Sequence, residues 1–309
     1  MLAAALARAW RPRMTAAWRR PAIMDTHLIL GDAIEELQKL PAATAQAIIA
    51  DPPYFNVLED ESWDTQWKTP ADYLAWCDAW AGECLRVLRH DGLCFIFGQL
   101  GKREHTFLHL MSRLAQQHQF HDLVIWDRAV GYDERRDSFT PQYEMVLVLR
   151  KGEKPKFNKD AVRIPYDEKT IAQYLKDPRY KDMEARKTHL QKGKFATNIL
   201  RVPSLKGTSR EKCGHPSQKP LDLIEKLILC STDEGDLVLD PFLGSGTTAA
   251  AAKRLKRRWL GIETDESYFK IAADRLENVV PGAPAKITKS AALTPPSNAP
   301  DLFERSASH

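Results

Sequence analysis

Asp51-Pro52-Pro53-Tyr54 sets a carboxylate and a backbone carbonyl next to one another at the end of a short apolar run, Ala47-Ile48-Ile49-Ala50. Both groups accept hydrogen bonds and donate none. Two acceptors aimed at one point suit an amine carrying two N–H groups, because they draw its nitrogen toward tetrahedral geometry. An aromatic amine needs that help, since its lone pair is otherwise delocalised into the ring. On its own the tetrapeptide therefore says that an amine or amide nitrogen is held by two acceptors, as methyl transfer to such a nitrogen would require. Pro53 stiffens the turn and removes a competing donor, and Tyr54 offers a flat face on which an extruded base stacks.

A second constellation, Asp240-Pro241-Phe242-Leu243-Gly244-Ser245-Gly246-Thr247-Thr248, reads as a strand end, a glycine-rich turn and a helix start. Gly244 and Gly246 let the backbone approach a ligand closely, and free N–H groups at the helix start, around Thr247, favour an anionic group. The segment lacks the third glycine of the dinucleotide fingerprint, and Thr247-Thr248 is not the Lys-Ser or Lys-Thr pair of a phosphate loop, which argues against both of those sites. Glu263 lies 23 residues after Asp240 at the end of the next strand, where an acid accepts hydrogen bonds from ribose hydroxyls. The two together imply a ribose-bearing ligand with an anionic tail.

Positioning these groups takes a set of alternating strands and helices. Apolar runs at 28–30, 47–50, 94–97, 122–126, 143–149, 237–240 and 259–263 read as strands. Helical patterns cover 33–40, 70–88, 102–118, 220–229, 246–257 and 267–277, with Asp91-Gly92 expected to stop the second and the 16 residues between 126 and 143 expected to form a functional loop. Such alternation implies an α/β fold with a doubly wound, mostly parallel sheet, whose ligands lie beyond the carboxyl ends of the strands. Trp63 and Trp67, in the loop after Tyr54, are expected either to reach a base or DNA or to pack as core or lid.

The formal charge of +4 over 309 residues hides an uneven distribution. Residues 150–214 hold 18 Lys and Arg against 8 Asp and Glu, while the remainder is net acidic. That segment has weak periodicity and is not expected in the sheet core. Its cations, interleaved with Phe157, Tyr166, Tyr174, Tyr180 and Phe195, suit a surface that tracks phosphates. The five cysteines show neither a C-x-x-C pair nor a histidine at ligand spacing, which argues against a zinc site or a disulfide framework and for a reducing cytoplasm. No apolar run approaches the roughly 20 residues of a membrane helix, so a soluble protein is expected. Residues 1–24, arginine-rich and without acids, read as an extension outside the fold, and 281–309, rich in Pro, Ala and Ser, as a disordered tail.

Taken with Gly261-Ile262-Glu263 and His215-Pro216-Ser217-Gln218-Lys219-Pro220, the two constellations resemble the amino-group DNA methyltransferases. The resemblance extends from about Leu28 to Leu276, and the motif order, with the Asp-Pro-Pro-Tyr segment first and the glycine loop late, resembles the permuted class called β. It implies an S-adenosylmethionine-dependent enzyme, without a metal, acting on double-stranded DNA. The halves 25–149 and 215–280 would form the methyltransferase domain, and 150–214 the target-recognition region. Asp51, Pro52, Pro53 and Tyr54 would be catalytic. Asp240, Phe242, Gly244, Gly246, Thr247 and Glu263 would hold the cofactor, with Ser217 and Lys219 near its carboxylate. Asp32 would either contact the cofactor adenine or simply cap the helix 33–40. Asp at the head of the motif favours N6 of adenine, with N4 of cytosine as the alternative. A DNA-binding module without activity is the reading from another class, and the intact acids at 51 and 263 and glycines at 244 and 246 speak against it. Further partner candidates are a second copy of the chain and, through Asp301-Leu302-Phe303, the bacterial sliding clamp. The resemblance also implies a bacterial or phage origin.

Overall fold

The computed structural model describes residues 27–55, 64–100, 105–131, 137–177 and 181–282. The expected extension 1–24, Trp63, Tyr180, the tail after 282 and Asp301-Leu302-Phe303 lie outside the described residues. The elements run β1 (His27–Leu30), α1 (Ala33–Gln38), β2 (Ala45–Ala50), α2 (Pro70–Val87), β3 (Leu88–Gly98), α3 (Thr106–Gln117), β4 (Gln119–Asp127) and β5 (Tyr143–Arg150). Then follow α4 (Glu168–Leu175), α5 (Met183–Lys192), β6 (Ile199–Arg201), α6 (Leu221–Ser231), β7 (Leu237–Asp240), α7 (Thr247–Arg254), β8 (Arg258–Glu263) and α8 (Glu266–Glu277).

The eight strands form one sheet in the order β1-β8-β7-β2-β3-β5-β4-β6. All neighbours are parallel except β3 with β5 and β4 with β5. Because successive strand residues point to opposite faces, two cores result. Ile48 and Ile96 meet one side, under α1, α2 and α3, while Ile49, Phe95 and Val238 meet the other, under α6, α7 and α8. This is the expected α/β class.

Two expectations are corrected. Asp91-Gly92 does not stop α2, which ends where Leu88 turns extended, and both residues lie inside β3. Gly92 sits where the register of β3 on β2 slips, between the pairs Ala45–Leu88 and Ala47–Leu93, and a Cβ there would sit 2.7 Å from the Gln46 carbonyl oxygen. The turn-forming pair therefore marks a bulge between neighbouring strands. The basic segment also contributes to the sheet, since Ile199–Arg201 pairs in parallel with Ile125–Asp127 as an edge strand. Three residues are too short a run for alternation to reveal. The rest of that segment packs its aromatics against its own cations, with Phe195 covered by Lys159 at 4.1 Å and Arg163 at 3.8 Å, and Tyr174 by Arg186 at 5.2 Å.

Candidate active site

β2 and β7 are neighbours, pairing Ala47 with Val238 and Ile48 with Leu239, so the chain leaves the sheet side by side at Asp51 and Asp240. Between and above those two ends lies a cavity of about 850 Å3, toward the upper end of the roughly 300–1,000 Å3 usual for small-molecule and cofactor sites. Every residue assigned from the sequence to the catalytic tetrapeptide or to the cofactor borders it except Gly246. Gly246, at φ 78°, starts α7 and packs on Ala272, so its role is to let α7 lie close to α8.

The Asp51 carboxylate is held on both oxygens. Oδ1 accepts from the Tyr54 hydroxyl at 2.5 Å and Oδ2 from the Lys219 ammonium at 2.6 Å. The turn itself is braced from outside: Asp64, fully buried, accepts from the Tyr54 backbone N–H at 2.6 Å, and the Tyr73 hydroxyl of α2 donates to the Pro53 carbonyl at 2.7 Å. Among the described residues nothing donates to the Pro52 carbonyl. Tyr54 is committed by its hydroxyl to this network, and burial together with the Asp51 and Glu144 charges raises its pKa well above the ordinary phenol value.

Sequence patterning missed the second carboxylate. Glu144, buried at the start of β5, lies 3.3 Å from the Tyr54 hydroxyl, 3.4 Å from Lys219 Nζ and 3.4 Å from Arg128. The available signal was an acid inside the run Tyr143–Leu149, which is otherwise apolar. Lys219, expected beside a cofactor carboxylate, instead points at Asp51 and Glu144. Its ammonium is also faced by the rings of Tyr54 and Phe97, each at 5.3 Å, and Trp126 at 6.0 Å. Burial alone would lower its pKa, but Asp51 and Glu144 outweigh that and keep it above the ordinary lysine value.

At the other end, Gly244 donates its N–H to Glu263 Oε2 at 2.7 Å while Oε1 accepts from Asp265 at 2.8 Å. Each carboxylate oxygen keeps a lone pair for a further donor. Phe242 is packed edge-on against Trp80 at 5.1 Å and tilted against Trp76 at 5.5 Å, and Trp76 also lines the cavity. Trp67 stacks on Trp76 and Tyr73, which fixes it as packing. α2 presents this aromatic row because Thr69 and Asp72 close a capping box ahead of Pro70, setting where its helical spacing begins. Asp32 caps α1, accepting from Ile34 at 2.9 Å and Glu35 at 3.1 Å, and lines the cavity as well. Gly31 ties that turn to the Glu263 carbonyl at 2.9 Å.

Within His215–Pro220 the work is divided. Gln218 is a strut, its amide donating to the Glu211 carbonyl and its oxygen accepting from Cys213 N–H. His215 stacks on Tyr268 at 4.4 Å and borders Gly244, and burial drops its pKa to about 4, so it is neutral at physiological pH. Ser217 lines the cavity beside it. No group of three or more His, Cys, Asp or Glu that could hold a metal ion occurs among the described residues, and none of their helices is long and apolar enough to cross a membrane.

The sequence model of a family described as DNA methylase matches residues 45–274, spanning both strand ends and everything between them. The chain belongs to the DNA methylase family. It is an amino-group methyltransferase by that membership. It is 30% identical over 256 residues to the Type II methyltransferase M.HpaI of Haemophilus parainfluenzae, covering 82% of this chain and 75% of that one. To the DNA adenine methyltransferase YhdJ of Escherichia coli K12 it is 30% identical over 254 residues, covering 81% and 82%. Among solved structures, an M1.HpyAVI–SAM complex superimposes with a TM-score of 0.52 at 25% identity, over 81% of this chain and 98% of that one.

In this methylase Asp240 has an energetic cost. Burial, with smaller contributions from the Asp51 and Glu263 charges, raises its pKa to about 7, against bonds from Thr248 and Phe242 that lower it. The folded state thus holds this proton more tightly than the unfolded chain, whose value is about 3.9. Stability is lost as pH rises from that value through about 7, and the cost is complete above it. Asp240→Asn is therefore expected to gain thermal stability over the wild type at pH 8, with the gain shrinking by pH 5. Equal Tm differences at the two pH values would contradict this assignment.

Proposed function

We propose that this methylase transfers the methyl group of S-adenosylmethionine to the N6 amino group of adenine in double-stranded DNA. One observation carries the reading: an anchored carboxylate and an unengaged carbonyl, Asp51 and Pro52, open onto the same cavity as the Gly244–Glu263 cradle. The cradle fits the cofactor, because Glu263 has lone pairs for ribose hydroxyls and a Cβ on Gly244 would come within 3.1 Å of the His215 ring. Bound S-adenosylmethionine supplies an electrophilic methyl group on a positively charged sulfur. Phe242 and Trp76 would pack on its adenine, Asp32 would reach that ring from the α1 turn while also capping the helix, and Ser217 would lie near its carboxylate.

On the substrate side the base is rotated out of the duplex. Asp51 and the Pro52 carbonyl accept its two N–H groups, localising the nitrogen lone pair without forming a covalent intermediate. The basic residues 150–214 act as the target-recognition region in this reading, and the motif order supports the permuted β class. The choice of adenine is supported by Asp at position 51 and by the similarity to the E. coli DNA adenine methyltransferase YhdJ.

The deciding experiment is mass spectrometry of nucleosides from DNA incubated with the protein and S-adenosylmethionine. N6-methyladenine is expected. Appearance of N4-methylcytosine alone would overturn the base assignment, and no methylated nucleoside would overturn the whole proposal.

A further inference from the structure

We propose that Lys219 is a positioning residue of methyl transfer, its ammonium locking the Asp51 carboxylate in the orientation that meets the target amine and offsetting the repulsion between Asp51 and Glu144. The inference rests on reading Asp51 as the amine-binding group, and it replaces the cofactor-carboxylate role that the sequence implied for Lys219.

The geometry supports it from several elements. Asp51 at the end of β2 and Glu144 on β5 lie within 2.6 and 3.4 Å of one ammonium, and the Tyr54 hydroxyl bridges the same two carboxylates at 2.5 and 3.3 Å. Two carboxylates gathered on one ammonium, Glu144 buried and Asp51 half-buried, would repel and favour uptake of a proton if that cation were absent. A protonated Asp51 would gain a donor and lose acceptor capacity, the opposite of what the amine requires. Lys219 cancels that repulsion, and Arg128, 3.4 Å from the other Glu144 oxygen, completes a cluster of two acids and two bases.

The other titratable groups near the cluster do not substitute for Lys219. His215 is neutral, Asp240 at the end of β7 is a cation in neither of its protonation states, and Asp64 is engaged by the Tyr54 backbone. The side chain has little freedom to turn elsewhere. Only 7% of it is exposed, and Tyr54, Phe97 and Trp126 wall the ammonium, with the Trp126 indole N–H held by the Val202 carbonyl at 2.7 Å. The clamp leaves the carboxylate usable, because each Asp51 oxygen engaged by the protein retains a lone pair for the incoming N–H group.

The test is the pH dependence of kcat for tritiated methyl transfer to DNA, together with calorimetric cofactor binding. Lys219→Met is expected to cut kcat at neutral pH at least about tenfold and to move the acidic limb of the profile upward by about one pH unit. Lys219→Arg should return part of the rate with the limb near its wild-type position. The double variant Lys219→Met with Glu144→Gln should also bring the limb back, because one of the repelling charges is gone. Cofactor affinity should stay within about threefold throughout. If Lys219→Met failed to fold, Glu144→Gln alone would still decide the matter, with the limb expected to move downward.

An unmoved limb in Lys219→Met or in Glu144→Gln overturns the proposal. So does a double variant no better than Lys219→Met, or a loss of cofactor affinity with the limb in place. A wild-type protein that transfers no methyl to any DNA would instead defeat the functional reading on which the inference rests.

Discussion

Asp51→Ala is expected to reduce methyl transfer by about a thousandfold or more while leaving S-adenosylmethionine binding within about threefold of the wild type. The magnitude follows from what removal of one preorganised electrostatic partner costs elsewhere, roughly 100- to 1,000-fold. Here the loss is compounded because, in the proposed mechanism, Asp51 supplies one of two acceptors for the amine. The fold should tolerate the change, since Lys219 keeps Glu144 as a partner and Tyr54 keeps Asp64 and Glu144. Cofactor binding should persist because Glu263 is on β8, on the far side of β7 from Asp51, and Gly244 is in the turn after β7, bonded to Glu263 and not to Asp51. Turnover above a few per cent of wild type would show that Asp51 is not the acceptor. Loss of cofactor binding would show that the two functions are not separable in this way.

Gly244→Val is expected to weaken S-adenosylmethionine binding by roughly a hundredfold. Two independent effects act together. Gly244 holds φ at 53°, in the left-handed region that a β-branched residue occupies only under strain of order 1–3 kcal/mol. Its Cβ would also meet the His215 ring at 3.1 Å, so either the ring or the loop must shift, and the loop is held by the bond from Gly244 N–H to Glu263. Any such shift disturbs the carboxylate offered to the ribose. Calorimetry of the variant would measure the loss, and near-wild-type affinity would place the cofactor elsewhere in the cavity.

Much of this architecture was legible before any coordinates. Strands such as Ala47–Ala50 and Leu237–Asp240 are short apolar runs ending in an acid, and the buried parallel sheet demands that pattern. Their ends were readable as sites because parallel topology fixes where ligands lie. What escaped had a physical reason in each case. Edge strand Ile199–Arg201 is paired on one side only and too short to show periodicity. Gly92, beside Asp91, looks like punctuation although it answers to a backbone oxygen contributed by another strand. Glu144 and Arg128 carry no local signature, because their meaning comes from Asp51 and Lys219, far away in the chain. Lys219 was visible as part of a motif, but its partner depended on how β2 and α6 are placed relative to one another, which spacing alone does not encode.

Strand order has a consequence for how such a molecule comes into being. Among the described residues β1 pairs only with β8, and β2 meets β7 across about 190 intervening residues, so the turns proposed for catalysis and for the cofactor are strangers until the later strands arrive. During vectorial synthesis the ribosome would release Asp51 long before Asp240, and β1 would wait still longer for its neighbour. A half-made chain therefore has no half-working site. Competence to modify a genome switches on late and all at once, when non-local pairing closes the sheet.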